Sequence, residues 1–78
     1  MKNPETFVDI ADQVVQAYNR AKTSLTILEE DGEQSVREYF QQFSEQDRAS
    51  IAAMMIAHSR DPEGTLKRVQ ERARETAN

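Results

Sequence analysis

Between Ile51 and Ala57 the chain runs Ile-Ala-Ala-Met-Met-Ile-Ala, seven apolar residues without a charge, and no other stretch does this. On a helix at about 100° per residue, Ile51, Met54 and Met55 share one side with His58, while Ala49, Ala52 and Ile56 fall on another. A helix apolar nearly all round needs neighbours on more than one side. The pattern therefore predicts a central helix against which amphipathic helices pack.

The first of these opens at Asn3-Pro4-Glu5, where Asn3 can cap, Pro4 takes the first helical position and Glu5 sits in the first turn. Phe7, Ile10, Ala11, Val14, Ala17, Tyr18, Ala21, Leu25 and Leu28 then form one stripe, with Asp9, Asp12, Gln13, Gln16, Arg20 and Thr23 turned away. Asp31-Gly32 ends it, Gly32 taking the left-handed position after the last turn. Unbroken from Pro4 to Glu30 this helix is roughly 40 Å long. A globule of this chain length has a diameter of only about 30 Å. Two arrangements resolve the conflict. One is a break between Tyr18 and Thr26, where Asn19 and Thr23-Ser24-Leu25-Thr26-Ile27 are poor helix formers with capping side chains. The other is an unbroken rod whose exposed end packs on a second subunit. The break is slightly favoured, and Ile27 lies off the stripe in both.

Ser35-Val36-Arg37-Glu38 matches a capping box and opens a short helix with Val36, Tyr39, Phe40 and Phe43 on one side, Glu33 being an earlier alternative start. Ser44 with Asp47 caps the central helix, which runs to about Ser59. Asp61-Pro62-Glu63 repeats the opening of the first helix and starts a last one with Leu66, Val69 and Ala73 inward. Connections of two to five residues fold neighbouring helices back on one another. The expected class is all-α, a compact bundle of four to five short amphipathic helices in one domain spanning residues 1–78.

Composition narrows the function. The 78 residues contain no cysteine, so no disulfide or thiolate metal site supplements a small core that buries about 60–65% of the unfolded surface. Formal net charge is −4. Residues 1–44 carry four Lys or Arg against eight Asp or Glu, and residues 45–78 carry six against six, so all the excess lies in the first half. Lys67, Arg68, Arg72 and Arg74 are interleaved with Glu71 and Glu75, which makes mixed-sign pairs on a wet face rather than a nucleic-acid footprint. No apolar run approaches the ~18 residues of a membrane span, and no secretory leader is visible after Met1-Lys2. A cytoplasmic or peripheral membrane location is expected.

Candidate chemistry is sparse. His58 is the only histidine and has neither a second histidine nor a cysteine beside it, so a packing role is favoured over metal or acid–base work. Glu29-Glu30-Asp31-Gly32-Glu33 lacks the alternating spacing of a calcium loop and reads as a solvated helix end. Asp9 and Asp12 lie on a polar face where nothing separates their pKa values. With no phosphate loop, nucleophile elbow or nucleophilic cysteine, an enzyme is not expected, and no cofactor or metal is expected either. What remains is surface. Ile27, Tyr39, Phe40, Phe43 and Ile56 are the candidate contacts for a lipid or protein partner, in a monomer or homodimer.

Divided as Pro4–Tyr18, Arg20–Glu30, Glu33–Phe43, Glu45–Ser59 and Pro62–Thr76, the cysteine-free chain resembles, over its whole length, the PAS factor family. These are small bacterial proteins associated with release of periplasmic proteins. The resemblance rests on length, composition and helix count, and carries no catalytic residue. It implies a five-helix saposin-like fold without disulfides, acting on membranes. The alternative from the residues alone is a soluble helical adaptor or regulator that binds a protein through the first helix and Ile27.

Overall fold

Four helices form in the computed structural model, which describes residues 4–77, with side chains described from Asp12 to Arg74. They are α1 (Pro4–Asp31), α2 (Glu33–Phe40), α3 (Glu45–Arg60) and α4 (Pro62–Ala77), with no strand among the described residues. The protein is an all-α bundle of amphipathic helices, at the lower of the two expected counts.

The favoured break in the first helix is absent. α1 runs through 28 residues without interruption, about 42 Å at 1.5 Å per residue, which fits only along the long dimension of a molecule measuring 44 × 27 × 14 Å. The residues expected to interrupt it bend their hydroxyls back onto the helix. Thr23 Oγ1 donates to Asn19 O at 3.0 Å, Ser24 Oγ to Arg20 O at 2.8 Å and Thr26 Oγ1 to Lys22 O at 3.1 Å. Each side chain is satisfied inside the helix rather than by capping a new one. The length conflict is relieved by flattening. The Cα radius of gyration is 13.6 Å, against about 11.5 Å for a typical globule of this length.

α1, not α3, is the hub. α2, α3 and α4 all pack on α1, and α3 packs also on α4. The seam is small-sided: Ala17, Ala21 and Ser24 are buried on α1 with Tyr18, and Ile51 of α3 is 1% exposed. Small side chains at i, i+4 and i+7 let a partner helix approach closely, and Ile51 fills the space they leave. Met54, Met55 and His58, predicted on the Ile51 side, are half-buried. Ile56 is 56% exposed, so the apolar run of α3 is covered on only part of its circumference. Phe7, Ile10 and Ala11 lie outside the described side chains.

Gly32 takes φ +93° and ψ 179°, a left-handed extended conformation open to glycine, and its N–H donates to Ile27 O and Leu28 O. α2 then starts at Glu33, the earlier of the two expected starts, so Ser35 lies inside the first turn and does not cap. It also ends at Phe40 rather than Phe43. The Arg48 guanidinium reaches back from α3, donating from Nε to Phe40 O at 2.9 Å and from Nη2 to Gln41 O at 3.2 Å. That charge on the last carbonyls closes the helix. Ser44 caps α3 as expected, its Oγ accepting the Asp47 N–H at 3.2 Å.

At the last joint Asp61 Oδ1 accepts the Gly64 N–H at 3.0 Å, its carbonyl accepts from Thr65, and its own N–H donates to Ala57 O. Asp61 alone therefore connects α3 to α4, and this geometry sets how α4 is rotated. The inward residues of α4 are Thr65 and Val69, 4% and 7% exposed. Leu66 at 40% and Ala73 are exposed, contrary to the stripe read from the sequence.

Two stability tests follow. Ile51→Ala removes the buried plug of the seam and is expected to cost about 2–5 kcal/mol in urea unfolding, whereas Ile56→Ser should change stability by no more than about 0.5 kcal/mol. Met55→Ala should fall between them. At the cap, a methyl on Gly64 would collide with the Asp61 carboxylate. Gly64→Ala should therefore destabilise alone but stabilise by up to about 1 kcal/mol in an Asp61→Ala background, where only helix propensity remains.

Candidate binding groove

Where α1, α3 and α4 meet, small side chains leave interhelical space unfilled. Ala17 of α1 and Ala53 and Ala57 of α3 stop short of the neighbouring axes, and the result is an open groove of about 460 Å³. Val14, Met54 and Val69 complete its apolar wall. Gln13, Ser50 and Thr65 supply neutral polar atoms, and Arg68 and Arg72 of α4 supply positive charge. Among the described residues no carboxylate lines it, although the chain carries net charge −4. Arg72 also makes an interaction of its own. A smaller polar hollow of about 90 Å³ lies beside it, between α1 and the start of α3, and includes Arg20 and Asp47.

Of the surface residues singled out in the sequence, three come together. The Tyr39 ring meets Phe43 edge to face with centroids 5.3 Å apart and Phe40 at 6.5 Å. All three are half-buried, as is Ile27 near the end of α1. The cluster is clamped by Arg20, expected to point away but lying with its guanidinium carbon 4.5 Å from the Phe43 ring centre and Nη1 3.9 Å from Asp47. A cation over an aromatic face is attracted by the ring quadrupole. Arg20 thus ties α1 to the turn before α3. Ile56 does not join this cluster. It lies about 17 Å along α3 from Glu45 at 1.5 Å per residue, and neither α3 nor α4 packs extensively on α2.

His58 packs its ring edge to face against Tyr18, centroids 5.8 Å apart, with Nδ1 buried and without a hydrogen-bond partner. Lys22 Nζ lies 5.5 Å from the Tyr18 ring. In the acidic run, Glu33 pairs with Arg37 at 2.7 Å on an exposed face. Among the described residues, no three His, Asp or Glu side chains are grouped to hold a metal ion.

The groove itself was missed by the sequence reading. Ser50, Ala53 and Ala57 recur at helical spacing along one side of α3, a run of small residues that signals close approach or unfilled space. Which of the two holds depends on α1 and α4. Arg20 could have been anticipated, since it borders the Ala17–Ala21–Ser24 seam. No protein-family model, no curated protein and no solved structure matches this chain.

The Arg20 clamp gives a third test. Arg20→Gln removes both the cation over Phe43 and the pairing to Asp47, partly exposed contacts that each contribute about 0.5–1 kcal/mol. A loss of about 1 kcal/mol in urea unfolding is expected, with the Tyr39 near-ultraviolet signal changed. An unchanged midpoint and spectrum would show that the clamp does not hold the aromatic cluster.

Proposed function

We propose that this is a non-enzymatic helical protein that works at lipid surfaces, with the release of periplasmic proteins implied by the PAS-factor resemblance as its physiological setting. The observation that carries the reading is surplus surface. The chain exposes 6000 Å², against about 4,800 Å² for a folded monomer of 8.9 kDa. Part of that surplus is apolar: the groove, Ile56, and Leu28 and Leu66, which are 43% and 40% exposed. Among the described residues no helix is long and apolar enough to cross a membrane. Contact with lipid would then be interfacial, helices lying in the headgroup region with their apolar sides down.

A second reading, a homodimeric adaptor for a protein partner, is favoured by one observation, the continuity of α1. A rod about 42 Å long offers a long coherent face to another subunit.

Dye-loaded vesicles separate the readings. Binding and leakage are expected with zwitterionic lipid at pH 7.5, and with anionic lipid increasingly as the pH falls toward about 4, where carboxylates lose the negative charge that repels the surface. Ile56→Ser should weaken both while leaving the fold intact. No binding or leakage with either lipid between pH ~4 and 7.5 eliminates the lipid reading. A concentration-dependent dimer in sedimentation, with vesicles ignored, establishes the second.

A further inference from the structure

We propose that the groove between α1, α3 and α4 is a ligand site for a single-chain amphiphile with an anionic head, a long-chain carboxylate, held by the closed fold. The inference takes its biological setting from the lipid-surface reading, and its chemistry from the groove.

Three observations carry it. The volume, about 460 Å³, is at the lower end of the range for small-molecule sites and suits one alkyl chain rather than the paired chains of a bilayer lipid. The wall contacting that chain is alanine, valine and methionine, and Met54 is the adaptable member that can follow a flexible chain. Charge selects the head. In a chain with four excess negative charges, the described lining of the groove holds two arginines and no acid, and Arg68 presents a planar fork that matches a carboxylate. Because Arg72 already has an interaction of its own, Arg68 is the cation on which the proposal depends. Gln13, Ser50 and Thr65 lie among the lining and can donate to the second carboxylate oxygen.

The occupant enters from solution and requires no separation of helices. This distinguishes the site from contact of the whole surface with a bilayer. The consequence is that ligand should be bound below its micelle concentration and should stabilise the folded chain by mass action.

The test is titration of the full-length chain with a fluorescent conjugated-polyene carboxylate, below its micelle concentration. Palmitate and the alcohol of the same length are the competitors. Saturable one-to-one binding is expected, with palmitate displacing the probe about fivefold better than the alcohol, as befits a partly exposed ion contact. Arg68→Gln should lose that fivefold preference and leave the alcohol unaffected. Ala53 is exposed at the groove, so Ala53→Phe can fill it without entering the core and should weaken carboxylate and alcohol alike by about tenfold or more. Its circular dichroism and urea midpoint report on folding, and Arg68→Gln decides the question if that variant fails to fold. Absence of probe binding by the wild-type chain overturns the proposal, as does binding indifferent to both substitutions. Vesicle association is measured in parallel. Vesicle binding without carboxylate binding sinks the groove proposal alone, whereas carboxylate binding without vesicle binding sinks the lipid-surface reading and leaves the groove standing.

Discussion

Every extensive interface but one uses α1, so the structure depends on that helix staying whole through the Thr23–Thr26 segment. The intrinsic preference there is poor, and the compensation is local: three hydroxyls bond to the carbonyls one turn back. Tertiary packing supplies the rest. Ala17, Ala21 and Ser24 lie along the buried side of the same helix, where Ile51 and the neighbouring elements press against it. A break at Thr23 would split this seam and leave α2 and the α3–α4 pair on separate rods. Packing of an amphipathic side commonly outweighs propensity in this way.

Helix ends were legible because their chemistry is local. Ser44, Asp61 with Pro62, and Gly32 each mark a boundary through their own hydrogen bonds or dihedral angles, and the structure places all three where the sequence does. Ile51 as core and Ile56 as an exposed side were legible too, since 100° spacing separates them whatever lies outside. What failed was anything fixed by relative rotation. The inward side of α4 is set by the single-residue joint at Asp61, so Leu66 faces out although the apolar stripe includes it. α2 stops at Phe40 because Arg48, eight residues away, takes its last carbonyls. The groove is harder still, being a volume that three helices decline to fill, with alanines that read as core when each helix is taken alone.

Surface and charge point the same way. With a smallest dimension of 14 Å the bundle is no more than two helices deep, and so shallow a stack leaves part of its apolar surface uncovered. The excess carboxylates of the first half keep the remaining surface soluble and bias it against anionic partners, while the α4 side of the groove is locally cationic. The molecule is thus divided into regions of different affinity without a separate domain for either.

The same thinness bears on how the protein opens. α2 contributes no fully buried residue, and it is held by the half-buried aromatic cluster and by the Arg48 contacts to its last carbonyls. Local opening free energy follows the apolar contacts that must be given up, so α2 can lift from α1 at low cost while α3 and α4 stay docked. Amide protons of residues 33–40 would then exchange through this partial opening, those around Ala21 and Ile51 only through global unfolding. Cooperativity in this chain is graded from one end of the plate to the other.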